Sequence, residues 1–410
     1  MYIKSLLWFG ALWIYASPFL AFGAPGDLLR VVENPDPQPG DGFGYSMAIA
    51  GDEVLVGAWH DSSRSPRGGA AYLMDLKTGK KIRSFFSPSQ VKEGSGSDFG
   101  ISVAVIGQRL AISDNDDSTK GTCAGAVYVF DSVSGELARA LFSPEPVGGE
   151  EFGLKVVSCG SNILVSALED SNSKGVYLFD PSNGNLVRTF NNPSNVGDSG
   201  FGISLAVSGN NVLIGAPLKD DRAGAVYLFN GLTGDLMHTF TKPNPAPQDF
   251  YGMSIAFVAK NILIGAPGDD KMTGCVYLYE HSSYKLLRTF RQPLPQPQAA
   301  FGFNLAAIGD RCLIRADNAD SLPKEAGIVY MFDTSTGKLQ HTFRKPNPIA
   351  GDHFGVSILG TTNEILISAT GASTGAPKTG AVCVFQNPLG NPNLQIQLPS
   401  APAEGSGLGG

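Results

Sequence analysis

The feature that most limits what this chain can fold into is a repeat. An aromatic residue followed by glycine recurs at Phe43-Gly44, Phe99-Gly100, Phe152-Gly153, Phe201-Gly202, Tyr251-Gly252, Phe301-Gly302 and Phe354-Gly355. Successive glycines lie 56, 53, 49, 50, 50 and 53 residues apart, which makes seven units. The segment VLIGAPLKDDRAGAVYLF at 212–229 returns as ILIGAPGDDKMTGCVYLY at 262–279. Repeats of this length are supersecondary units that stack on their neighbours, so they decide the architecture before any domain count does.

Residues 201–243 show what one unit contains. Four apolar segments, ISLAV, NVLIGA, GAVYLF and DLMHTF, are bounded by Gly, Asn, Asp or Pro. Short runs rich in Val, Ile, Leu, Tyr and Phe between such breakers read as strands, here named A to D. The A–B turns (AGDE, IGQR, SGNN) and most C–D turns (DLKTGK, DTSTGK) are tight, and Gly supplies the positive φ they need. The B–C and D–A connections are longer and variable. Strands B and C are apolar on both faces in most units, as strands covered on both sides are. Seven four-stranded antiparallel sheets of this kind stack around an axis as an all-β, seven-bladed propeller. Small residues of strand A suit the crowded axis, and the Phe before each Gly is expected to wedge between blades. The segment GDLLRVVENPDPQPGDGFG aligns with GDLMHTFTKPNPAPQDFYG at 234–252, whereas the last unit stops after AVCVFQ without a good D strand. The stretch from Asp27 to Asn34 is therefore expected to complete the last blade, closing the ring without an open inner edge.

Residues 1–23 read as a secretory signal peptide: Lys4, then an apolar run from Ser5 to about Phe22, then small residues at Ala21 and Gly23, with the cut before Ala24. The propeller then occupies 24–390, and the small-residue-rich 391–410 reads as a disordered tail. No second stretch is long and apolar enough to span a bilayer. A formal charge of −7 argues against a nucleic-acid partner. The five cysteines, Cys123, Cys159, Cys275, Cys312 and Cys383, are far apart and odd in number. They fit small hydrophobes at buried strand positions better than a disulfide framework or a zinc site.

The units resemble FG-GAP repeats, the seven-fold propeller module of integrin α chains and of many bacterial exported proteins. The matching residues are the FG pairs and the GAP triplets Gly215-Ala216-Pro217 and Gly265-Ala266-Pro267; GAW at 57–59 and SAL at 166–168 are degenerate versions. The resemblance covers about residues 27–386. It implies a propeller and, for many members, calcium held in an A–B loop of the form D-x-D-x-D-G-x-x-D. Here the A–B turns are about four residues and cannot hold such a loop, so no cofactor is expected, and calcium only from acidic groups elsewhere. Those groups lie in B–C: Asp114, Asp116 and Asp117; Glu169 and Asp170; Asp220 and Asp221; Asp269 and Asp270; Asp317 and Asp320. They are expected to cap turns by Asx-type bonds.

No nucleophile elbow, Cys/His pair or phosphate-binding Gly loop appears. His238 and His341 occupy a D-strand slot that holds Arg188 and Arg288 elsewhere, and a solvated face is expected there. The turns DTSTGK and DLKTGK also resemble those of pyrroloquinoline-quinone propellers, but the Trp that follows in that family is missing. In a meander blade the B–C and D–A loops emerge at one end. Variable loops on a rigid scaffold are where binding residues concentrate. The candidates are Trp59, His60, Arg64, Arg67, Arg222 and Arg315, serving an exported, non-enzymatic binding or adhesion-type module for a protein or glycan. The alternatives are an exported enzyme with an axial site and a structural matrix component.

Overall fold

The computed structural model describes residues 26–89, 96–167, 175–194, 199–318 and 322–389. The expected signal segment and tail, and Glu169, Asp170 and Asp320, lie outside the described residues. Seven four-stranded antiparallel sheets account for the described strands. In blade 4 the strands are A (Ser204–Ser208), B (Asn211–Ala216), C (Ala225–Asn230) and D (Leu236–Phe240). Strands B and C are almost wholly buried in every blade, and D is exposed on its outer side.

The ring closes as the alignment requires. Blade 7 consists of A (Phe354–Gly360), B (Glu364–Ala369) and C (Ala381–Gln386), and its fourth strand is Leu28–Glu33. Leu28 faces Phe385 and Glu33 faces Ala381. Val32 is buried, and Arg30 makes two bonds to Glu364, at 2.8 and 2.7 Å.

Each aromatic of the FG pairs sits between blades. Phe99 is fully buried and packs with Leu55, Ala71 and Leu73 of blade 1 and with Tyr128 and Phe130 of blade 2. The glycine that follows has no room for a side chain. A Cβ on Gly100, at φ +93°, would stand 2.3 Å from Ala70 O. The backbone doubles back here against the neighbouring blade, which only Gly tolerates.

The D-strand slot is not the solvated surface expected from sequence. Its residue is half-buried and braces the next blade. Arg188 Nη1 donates to Thr233 O at 2.6 Å, Arg139 Nη2 to Ser182 O at 3.1 Å and Arg288 Nη2 to Ser335 O at 2.8 Å. The turn glycine leaves space for the guanidinium: a Cβ on Gly135 would stand 2.0 Å from Arg83 Nη1. Blade 5 lacks that glycine and has Tyr284, at φ +59°; the slot before it is His238, stacked on Tyr284 at 4.1 Å. His341 fills the slot before Gly26. Burial lowers the pKa of both histidines.

All five cysteines are free, and Cys275, Cys312 and Cys383 are buried on strands as expected. Cys123 departs from that expectation. It lies in the B–C loop of blade 2 at φ +50°, and its thiol is pushed up to about 11, first by a hydrogen bond with Asp116.

Candidate functional site

In the six blades whose B–C loop is described, that loop is bonded to the D–A loop entering the next blade. Phe152 N donates to Ala124 O, Phe250 N to Arg222 O and His353 N to Glu325 O. Several residues that supply these carbonyls are non-glycine residues with positive φ, among them Arg67, Arg222 and Glu325. Such strain persists only where the surroundings enforce it. The long-loop face is thus a bonded rim rather than a set of independent loops.

On blade 1 this rim carries an aromatic and cationic cluster. Trp59 follows strand B (Glu53–Ala58) directly and is half-buried. His60 stacks on it at 3.5 Å, and Tyr45 packs against it at 5.1 Å. Gly42 approaches the indole so closely that a Cβ there would meet its ring nitrogen at 3.0 Å. Arg67 Nη2 donates to His60 Nε2 at 2.8 Å, which needs that nitrogen unprotonated; burial, then the Arg67 charge, lowers the His60 pKa accordingly. Arg64 lies over Phe86 at 5.4 Å. Both arginines are exposed. The sequence candidates Trp59, His60, Arg64 and Arg67 therefore share one patch.

Arg222 and Arg315 do not join them in the same way. Arg222 lies on blade 4 in a short helical turn (Lys219–Arg222) and is exposed at φ +67°. Arg315 ends a strand of blade 6 (Arg311–Ala316) and is only 4% exposed. It points to the axis, where its charge reaches Tyr45. Burial raises the Tyr45 pKa, Asp98 adds to the rise, and Arg315 opposes it. The patch and the axis thus meet at Tyr45.

The acidic B–C residues do more than cap turns. Asp117 makes the expected Asx bond, from Thr119 N at 2.8 Å, but it also accepts the Tyr128 hydroxyl at 2.8 Å. Asp61 and Tyr72 at 2.7 Å, and Asp269 and Tyr277 at 2.6 Å, repeat that link from loop to strand C. Asp317 pairs with Arg315 at 2.8 Å. Asp220 and Asp270 sit at positive φ. Among the described residues no group of three or more His, Cys, Asp or Glu is placed to hold a metal ion.

Asp114 is buried and accepts the Ser97 hydroxyl at 2.6 Å and the Ser87 hydroxyl at 3.0 Å. Burial outweighs these bonds and pushes its carboxyl up to about 7. The unfolded chain releases this proton near 3.8, so between these values the folded state holds more protons and stability falls as pH rises. Asp114→Asn does not titrate. Its stability relative to the parent chain should improve by about 2 kcal/mol between pH 5 and pH 7.5. Urea unfolding at both pH values measures this; a gap that does not change with pH would count against a protonated Asp114.

Residues 32–74 and 195–229 match the family model of the FG-GAP repeat. With seven blades of the matching form, the chain is an FG-GAP repeat propeller. The first match runs from the last two residues of the closing strand through strands A, B and C of blade 1, and the second takes in strands A, B and C of blade 4. No curated protein matches the chain. The turn Asp of this propeller accepts backbone bonds, as at Asp75 from Thr78 N at 2.7 Å, which gives the T-G-K turns a structural explanation. No helix among the described residues is long and apolar enough to cross a membrane.

Proposed function

We infer that this FG-GAP propeller is an exported, non-enzymatic binding module that engages a protein or glycan partner through its long-loop face. The observation that carries this reading is the patch of Trp59, His60, Arg64 and Arg67 on the bonded rim. A rigid Trp beside Arg is the composition of interface hot spots, because Trp buries a large surface with few rotatable bonds and Arg offers a planar fork of donors. Export rests on the layout of residues 1–23. The non-enzymatic reading draws support from the axial cavity, whose lining residues include no carboxylate, histidine or cysteine. No cofactor is invoked.

Glycan arrays and immobilised extracellular proteins, probed with the chain lacking residues 1–23, test the reading. At least one ligand should bind the parent chain and lose about 30-fold or more in the variant Trp59→Ala/Arg64→Glu/Arg67→Glu. Lys77→Glu/Lys80→Glu, on the opposite face, should bind as the parent does. Binding that survives the first variant, or that falls equally in the second, would sink the assignment to this face.

A further inference from the structure

The channel at the axis is lined by strand A of each blade and encloses about 640 Å³. Its second lining position holds Ser46, Ser102, Ser204, Ser254, Asn304 and Ser357 in six blades. Five of these side chains fasten their blade to the next. Ser46, Ser204 and Ser254 donate to Gly100 O, Gly252 O and Gly302 O at 2.8, 2.7 and 2.6 Å. Asn304 donates to Gly355 O at 3.2 Å, and Ser102 accepts from Val156 N at 3.0 Å.

Blade 3 breaks the pattern with Lys155. Among the described residues nothing hydrogen-bonds or pairs with its ammonium, and burial alone lowers its pKa. Blade 6 breaks a second pattern. The next residue to face this seam, on strand B, is Gly or Ser in the other blades (Gly57, Ser113, Ser166, Gly215, Gly265, Ser368) but Arg315 here. Its stem occupies room that Gly355 leaves: a Cβ there would stand 3.1 Å from Arg315 Cγ. Its guanidinium lies over Phe303 at 5.5 Å and pairs with Asp317, while its Nε has no partner. Two cations with unmet bonding capacity thus line one cavity in a chain whose net charge is −7.

We propose that the axial channel binds a small organic oxyanion, a carboxylate or a phosphate ester, held by Lys155 and Arg315. Lys155 is half-buried with no counter-charge among the described residues, and an oxyanion in the channel would supply one to it and a partner to the open Nε side of Arg315. A guanidinium offers a planar fork that matches either headgroup. The layers flanking the polar ring, such as Leu154, Ile203 and Met253 on one side and Val156, Leu205 and Ile255 on the other, suit an apolar body attached to it. The volume lies in the range of ordinary ligand pockets. Nothing in this reading depends on the long-loop patch.

The informative variant is Lys155→Ser, which restores the side chain the ring uses in five other blades. Thermal unfolding is followed with sodium benzoate and with sodium phosphate against sodium chloride at equal ionic strength. The parent chain should melt several degrees higher with benzoate or phosphate than with chloride, by mass action on the folded state. Lys155→Ser should melt above the parent when no probe is present, and lose that probe-induced shift. A larger shift with benzoate assigns the carboxylate, and a larger one with phosphate the ester. The proposal is overturned if neither probe exceeds chloride, if Lys155→Ser keeps the shift, or if Lys155→Ser melts below the parent and so shows the lysine to be structural. The Trp59→Ala/Arg64→Glu/Arg67→Glu variant should keep the anion shift, which separates this site from the face.

Discussion

Lys242→Met should destabilise the fold by about 3–5 kcal/mol, the usual penalty when one partner of a buried charge group is removed. Lys242 is 7% exposed and follows strand D of blade 4. Its ammonium lies 2.8 Å from Asp249 and 2.7 Å from Asp269, and Asp269 also accepts the Tyr277 hydroxyl. Burial by itself would lower the lysine's pKa, but the bonds to Asp249 and then Asp269 outweigh it and the pKa ends up raised. At Asp269 burial pushes upward, the bonds to Lys242 and Tyr277 pull down, and the net shift is downward. One lysine therefore joins the D–A loop after blade 4 to the B–C loop of blade 5. Methionine keeps most of the stem and leaves two carboxylates facing each other in a dry junction. Denaturant midpoints give the loss directly. Adding Asp249→Asn and Asp269→Asn should recover part of it, since the cost lies in the orphaned charges. A loss below about 1 kcal/mol would mean that water reaches the junction freely.

The second large effect concerns closure. A chain beginning at residue 35 should lose at least about 4 kcal/mol relative to one beginning at residue 26, from the Val32 burial, the strand hydrogen bonds and the Arg30–Glu364 pair. It would also expose the edge of strand Ala381–Gln386, an invitation to pair with another copy. A synthetic peptide of residues 26–34 should restore the melting temperature of the shortened chain in a saturable manner, as strand addition does. If the shortened chain unfolds at the same midpoint without peptide, the ring does not need its closing strand.

Much of this fold could be read from the sequence because the message is written seven times. A single apolar run such as NVLIGA is ambiguous, but seven copies with the same turns are not. Closure was legible for the same reason, since GDLLRVVENP aligns with a D strand. The candidate site was legible only where neighbours in sequence are neighbours in space. Trp59, His60, Arg64 and Arg67 share one loop, and the fold keeps them together. Arg222 sits on another blade, and no sequence signal ties it to them. Arg315 was a candidate only for the long-loop face and Lys155 was not singled out, because the two are 160 positions apart and line one cavity only in the folded ring. A signal for it did exist: the second residue after each FG pair is Ser in five blades, and Lys155 is the charged exception. Asp114 and the Arg–turn braces were misjudged for a related reason. Both depend on how deeply one blade covers the next, which strand patterns do not encode.

The register of the closing strand also sets how this propeller would face the world. Gly26 N donates to Gln386 O, so the incoming and outgoing chain lie side by side. They do so at the end of blade 7 where the other blades carry their short C–D turns. Anything attached through either flank would hold the molecule by its back and present the Trp59 rim outward. Tension between the two flanks would open the Leu28–Phe385 end first and run along one strand pair like a zipper, before any load reached the other six blades.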